Sequence, residues 1–216
     1  MTDLVVFDLD GTLVDSGADL ATGVNRMLAW CGGAELPEDD VVGMVGDGAS
    51  VLVGRALAAA GLDPDHPGAF ERFLAAYDEC LLDCTKPYDG IPELLEELAT
   101  TRRLAVLTNK PTTATERILD ALDLRRFFAT VLGADTPFGR KPDPAGLEHL
   151  IHQANTSAGA TLLVGDSPID LETARRAGAR IVLARYGFGF RFEEGVFRGD
   201  ELFIDKPADL IDLVSA

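Results

Sequence analysis

The stretch Leu4-Val5-Val6-Phe7-Asp8-Leu9-Asp10-Gly11-Thr12 decides how this chain is read. The apolar run from Leu4 to Phe7 predicts a short buried β-strand, and Gly11 predicts the turn that ends it. Residues two apart along a strand point to the same side. Asp8 and Asp10 therefore converge at the carboxyl end of the strand, the edge where ligands bind in open α/β sheets. Two carboxylates about 4 Å apart repel by about 4 kcal/mol at an effective dielectric near 20. Protonating one of them relieves the repulsion, and so does a cation held between them. The first arrangement is a general acid and the second a metal site. A solvated turn rich in Asp and Gly is the plain structural alternative.

The chain has 216 residues, more than one modal domain and fewer than two, and its 47% apolar content can fill a sizeable core. No apolar stretch approaches the ~20 residues needed to span a bilayer. The first residues lack the basic region and apolar core of a secretion signal. A soluble, cytoplasmic protein is expected. The net charge is -17, and only 4 of the 19 basic residues are Lys. That argues against nucleic acid or an anionic membrane as partner. An anionic ligand would need local positive charge to offset this background. The odd set of cysteines, Cys31, Cys80 and Cys84, predicts reduced thiols. Cys80 and Cys84 are spaced to share a helix face, and with no His nearby they read as small buried residues rather than a zinc site.

Residues 16–84 read as all-helical, with helical spacing in Ala18–Trp30, Ala49–Ala60 and Pro67–Cys84. From about residue 86 the apolar runs Leu104–Leu107, Phe128–Leu132, Thr161–Val164 and Ile181–Ala184 read as buried strands. They alternate with helices expected at Pro92–Ala99, Thr113–Leu122, Pro144–Gln153 and Ile169–Ala177. Such alternation predicts an α/β fold, a Rossmann-like parallel sheet with helices on both faces. The first strand, residues 3–8, joins the same sheet. The domains are then a Rossmann-like core, residues 1–15 and 85–216, and an inserted helical cap, residues 16–84. Both chain crossings, 15–17 and 84–87, are candidate hinges. Thr113-x-x-Glu116 reads as a capping box, Pro168 as a helix start and Gly178 as its end. Arg175 and Arg176, in the last turn of that helix, read as structural. The Phe-bearing segment from Gly187 onward gives no clear signal beyond packing or a dimer contact.

Each strand end in the parallel region carries polar residues. Thr108-Asn109-Lys110-Pro111 offers a hydroxyl and free amides at a strand-to-helix turn, either a phosphate cradle or a helix cap. Lys141, before Pro142 on a loop with a second proline at 144, is either a fixed cation or a surface residue. Gly165-Asp166-Ser167-Pro168-Ile169-Asp170 places two acids about one helical turn apart, or simply at a favourable helix start. Taken together these groups gather carboxylates, a hydroxyl, amides and a lysine on one sheet edge. Oxygen donors of this kind suit Mg²⁺.

With these motifs in this order, and the helical insertion after the first, the chain resembles the haloacid dehalogenase superfamily of phosphohydrolases over nearly its whole length. The resemblance implies a phosphatase that passes through an aspartyl-phosphate. Asp8 would be the nucleophile and Asp10 the general acid and base. Mg²⁺ would be held by the carboxylates of Asp8 and Asp166 and the backbone carbonyl of Asp10. Thr108 and Asn109 would bind phosphoryl oxygens, Lys141 would neutralise charge on the phosphoryl group and Asp8, and Asp170 would support the metal or Lys141.

Departures from other branches narrow the expectation. Asp10 is absent in dehalogenases. No Lys lies between 16 and 84 for a phosphonatase Schiff base, and the first His of the chain is His66, unlike the mutases with a His on the first cap helix. The cap segment from Val45 to Leu57 is similar to that of phosphoglycolate phosphatases. There, Gly46 and Gly48 permit close backbone approach and Arg55 can grip a carboxylate, or the glycines only shape a turn and Arg55 lies on the surface. The expected substrate is a small phosphorylated metabolite, foremost 2-phosphoglycolate. The alternatives are sugar phosphates, nucleotides or pyrophosphate, and behind them a phosphomutase. The chain would act as a monomer or homodimer.

Overall fold

A computed structural model describes residues 2–215. The chain opens with β1 (Leu4–Phe7) and β2 (Val14–Asp15), then forms four helices: α1 (Gly17–Trp30), α2 (Glu38–Val42), α3 (Ala49–Ala59) and α4 (Ala69–Cys80). It returns through β3 (Lys86–Pro87), α5 (Ile91–Ala99), β4 (Arg103–Leu107), α6 (Thr112–Ala121) and β5 (Thr130–Leu132). It continues with α7 (Ala145–Gln153), β6 (Thr161–Gly165), α8 (Pro168–Ala177), β7 (Arg180–Ala184), β8 (Leu202–Ile204) and α9 (Leu210–Ser215).

Six strands form one parallel sheet in the order β5-β4-β1-β6-β7-β8. The pleat sorts its apolar side chains cleanly. Val5, Phe7, Val106 and Val164 share one core cluster with Leu95 of α5 and Ile118 of α6. Leu4, Val6, Leu107 and Leu163 form the other with Leu147 of α7 and Leu171 of α8. Strands buried on both faces read as unbroken apolar runs, which is why they were legible. Phe128, read as the start of β5, instead ends a 3-10 turn at Arg125–Phe127 and meets the Phe7 ring edge-on at 6.2 Å.

The four helices follow β2, and the chain leaves and re-enters through an antiparallel ribbon, Val14 opposite Pro87 and Asp15 opposite Lys86. Asp19, in the first turn of α1 and fully buried, pins the return. Its carboxylate accepts hydrogen bonds from the Cys84 and Thr85 amides, at 2.9 and 2.8 Å, and from the Thr85 hydroxyl at 2.6 Å. Helices α1 and α4 pack closely at Gly23, where a Cβ would stand 3.1 Å from the Tyr77 Cα. A side chain there would push α4, and Tyr77 with it, away from α1.

Several expectations change. Cys84 lies beyond α4 and is exposed; only Cys80 is buried, so the two do not share a helix face. The Thr113–Glu116 capping box does not form. Helix α6 begins after Pro111, the Thr112 amide donates to Asp135 at 2.8 Å, and Glu116 pairs with Arg125. A capping box does form at α8, between Ser167 and Asp170, with Pro168 at its start and Gly178 in the left-handed conformation at its end. The segment after Gly187 adds β8 to the sheet edge. Four of its phenylalanines, Phe190, Phe192, Phe197 and Phe203, pack ring against ring.

Glu201 fastens this last segment. Its buried carboxylate accepts the amides of Arg198 and Gly199, each at 3.0 Å, and pairs with Arg175, which also donates to the Val196 carbonyl at 2.9 Å. Burial pushes its pKa upward, but these donors outweigh burial and hold it at about 2, below the ordinary 4.5. The folded state thus favours the charged form. The stabilisation is complete above about pH 4.5 and is lost as pH falls toward about 2. Glu201→Gln is expected to cost about 2 kcal/mol at neutral pH and to flatten the acid limb. Denaturant titrations of both proteins across this range check it.

Candidate active site

Strand β1 sits between β4 and β6, where the winding of the sheet reverses, so its carboxyl end opens a crevice. Phe7 is in register with Val106 on one side and Val164 on the other. The residues just past these strands, Asp8, Thr108 and Asp166, therefore stand side by side at one edge. All three are buried. The Asp8 amide donates to the Val164 carbonyl at 2.9 Å, which carries the strand geometry one residue into the site.

Lys141 reaches this edge from the loop between β5 and α7. Its ammonium lies 2.9 Å from Asp8 Oδ1 and 2.6 Å from Asp170 Oδ1, with a side chain only 2% exposed. Asp170 spends its other oxygen on the cap of α8, accepting from the Ser167 hydroxyl at 2.6 Å and amide at 3.1 Å. It thus fixes Lys141 from behind. Asp166 Oδ2 accepts the Gly189 amide at 2.7 Å. Gly11 is required beside it: φ is +81° and a Cβ would fall 2.0 Å from Asp166 Oδ2.

Asp8, Asp166 and Asp170 each offer a carboxylate oxygen within 4.8 Å of the others. Burial raises the pKa of Asp8 to about 6; Lys141 opposes this, while Asp170 and Asp10 reinforce it. Burial also lifts Asp166 well above the carboxylate range, helped by Asp170 and Asp8. Three acids around one lysine carry more negative charge than the protein compensates, and all the side-chain donors are hard oxygens. The residues present therefore suit a divalent cation. Asp170 stands beside the two expected carboxylates, Asp8 and Asp166, while the carboxylate of Asp10, whose backbone carbonyl is the expected ligand, engages other groups. Asp10 accepts from the Ser16 hydroxyl at 2.6 Å and from Lys110 Nζ at 2.9 and 3.0 Å.

Thr108 is buried, and its hydroxyl accepts the Lys110 amide at 3.2 Å, which shapes the loop. Asn109 acts through its side chain. Its Nδ2 donates to the Gly46 carbonyl at 2.8 Å and the Lys141 carbonyl at 2.9 Å, tying the helical segment to the lysine loop. Gly46 and Gly48 take φ of +125° and +94° and line a cavity of about 430 Å³ above Asp8 and Asp10. Its far wall is apolar, with Leu20, Leu52, Phe73, Tyr77 and Phe188.

Arg55 is not brought to the site. It pairs with Asp47 at 2.6 Å, donates to the Met44 carbonyl at 3.0 Å, and does not line the cavity. The register of α3 turns it to the outer side, where Asp47 claims its charge. Sequence reasoning passed over Lys110, although it stands in the quoted Thr108–Pro111 turn. Lys110 is buried, pairs with Asp10, and lies 4.7 Å from the centre of the Tyr77 ring. The scarcity of lysine was the available signal, since two of the four lie in this site.

Fold and site together define an α/β protein with a buried acidic trio, able to hold a cation, at the carboxyl edge of a parallel sheet. A family model described as haloacid dehalogenase-like hydrolase matches residues 5–184. The chain is 38% identical to a phosphoglycolate phosphatase of Pseudomonas syringae pv. tomato, a match covering 97% of this chain and 76% of that protein. It is 42% identical to a phosphoglycolate phosphatase of Rhodospirillum rubrum, over 87% of this chain and 81% of that one. A crystal structure described as a predicted phosphoglycolate phosphatase from Haemophilus somnus superposes with a TM-score of 0.90 at 32% identity, covering 98% of this chain and 97% of that one. The chain belongs to the haloacid dehalogenase-like hydrolase family. Among the described residues, no helix is long and apolar enough to cross a membrane.

Proposed function

We propose that this chain is a Mg²⁺-dependent phosphatase of small anionic phosphate esters, with 2-phosphoglycolate as its substrate. The observation that carries this reading is the Asp8 carboxylate, held by Lys141 at 2.9 Å in a buried acidic trio at the floor of a cavity. The names of the relatives support the substrate. Mg²⁺, held by the carboxylates of Asp8 and Asp166 and the carbonyl of Asp10, would supply Lewis acidity at the phosphoryl oxygens.

The protein's own groups account for the rest. Asp8 attacks phosphorus, and the ester P–O bond breaks as the Asp8–phosphoryl bond forms. Asp10 gives a proton to the departing alkoxide, then takes one from the water that attacks phosphorus and frees Asp8. Lys141, kept in place by Asp170, neutralises charge on Asp8 and the phosphoryl group. The Thr108 hydroxyl and Asn109 amide receive phosphoryl oxygens, while the Asn109 side chain holds the turn at Gly46 over the site. Residues 16–84 act as a cap over the residues 1–15 and 85–216 core, in the cytoplasm.

The test is kcat/KM with Mg²⁺ across a panel of small phosphate esters. A value for 2-phosphoglycolate at least tenfold above the other esters is expected. Low, similar values throughout would discard the substrate, and no phosphate release from any ester would discard the phosphatase. Chelation of divalent cations is expected to abolish turnover, and Mg²⁺ to restore it.

A further inference from the structure

We propose that Lys110 and Tyr77 form the subsite that recognises the substrate's carboxylate, which makes them the specificity-determining pair of the cavity. The inference rests on the reading of 2-phosphoglycolate as substrate and assigns where its acid group is held.

The chemistry sets the distance. In 2-phosphoglycolate the carboxyl carbon is two bonds from the ester oxygen. That oxygen is the one Asp10 must protonate, so the carboxylate lies close beyond Asp10. The cation at that place is Lys110, whose ammonium is 2.9 and 3.0 Å from the two Asp10 oxygens. An ammonium has three N–H donors. Two are engaged by Asp10, and the third faces the Tyr77 side of the cavity. Lys141 cannot serve, because Asp8 and Asp170 hold it at the phosphoryl position. Arg55 cannot serve either, because Asp47 holds it away from the cavity.

Tyr77 provides the second, independent observation. It is 5% exposed, lines the cavity from α4, and its buried hydroxyl has no partner within hydrogen-bond distance, its electrostatic neighbour being Lys110. A buried polar group in that state costs free energy unless something pairs with it. Burial keeps it protonated, with a pKa pushed up to about 12, so it is a donor. The ring packs 4.7 Å above the Lys110 ammonium, which places the hydroxyl and the cation on one side of the cavity. A hydroxyl donor beside an ammonium fits a carboxylate. The wall around them carries Leu20, Leu52 and Phe73, and the other cation lining the cavity, Arg117, is taken up by Asp78. Gly23 belongs to the same device, since a Cβ there would crowd the Tyr77 backbone at 3.1 Å.

The experiment compares kcat/KM for 2-phosphoglycolate and for ethyl phosphate, in which a methyl group replaces the carboxylate. Wild type, Tyr77→Phe, Lys110→Met and Arg55→Ala are assayed with saturating Mg²⁺. Tyr77→Phe removes one oxygen and no packing. It is expected to reduce the preference for the acidic ester by about 10- to 100-fold, the scale of one hydrogen bond to a charged group. Lys110→Met is expected to slow both esters and to reduce the preference further. Arg55→Ala is expected to leave the preference intact. A preference retained in both Tyr77→Phe and Lys110→Met, or lost in Arg55→Ala, would overturn the subsite while leaving 2-phosphoglycolate as substrate. A wild type with no preference between the two esters would overturn the substrate reading, and the subsite with it.

Discussion

Asp8→Asn is expected to lower turnover by roughly 10⁴-fold or more, the scale seen when a nucleophile is removed outright. The amide has nearly the same shape as the carboxylate, so the loss would be chemical. Asn cannot form the acyl-phosphate bond, and Lys141 keeps its 2.6 Å contact with Asp170. The fold gives an internal control with a definite sign. Burial raises the folded pKa of Asp8 from 3.8 to about 6 against the pull of Lys141, so folding favours its protonated form. Without metal, ionised Asp8 therefore costs stability, a cost that grows as pH rises from about 4 to about 6 and then stays constant. Asp8→Asn removes that cost. The metal-free variant is expected to melt at a higher temperature than metal-free wild type at neutral pH, with the difference vanishing below about pH 4. An inactive variant that is also less stable at neutral pH would point to damage. An active one would place the nucleophile elsewhere.

Asp10→Asn is expected to cost about 10²- to 10⁴-fold, the range for losing a positioned general acid and base. Ser16 and Lys110 hold Asp10 on the cavity side of the turn, away from the Asp8–Lys141–Asp170 chain. That separation is what two carboxylates with different tasks require. The loss should deepen as the leaving alcohol becomes more basic, because a poor leaving group depends most on its proton. A loss under tenfold, equal for esters of good and poor leaving groups, would contradict the role. The measurement is kcat for both proteins over aryl and alkyl phosphates.

What the sequence disclosed follows the reach of local signals. Strands buried on both faces leave continuous apolar runs, so the sheet was readable. The residues that follow those runs land on one edge by topology, which is why Asp8, Thr108, Lys141 and Asp166 were found together. Groups whose role depends on a distant partner were not readable. Lys110 becomes meaningful only when α4 brings Tyr77 over it, some thirty residues earlier in the chain. The two readings of Arg55 stayed open because composition does not reveal which way α3 turns a side chain or that Asp47 waits there. Asp19 looked like an ordinary first-turn acid, yet it ties down the returning chain at Cys84 and Thr85. The last strand was hidden by an aromatic segment without period. Its role is visible once Gly189 is seen donating to Asp166.

The central claim is that Asp8 carries the phosphoryl group between substrate and water. Asp10→Asn should slow release of that group, so the intermediate accumulates. The decisive measurement is an acid quench of Asp10→Asn during turnover of its best ester with Mg²⁺, followed by mass analysis of the peptide that holds Asp8. The account predicts a peptide heavier by one phosphoryl group, mapped to Asp8 and lost on treatment with hydroxylamine. A peptide that stays unmodified while phosphate is released, or a phosphoryl group on any other residue, would contradict it.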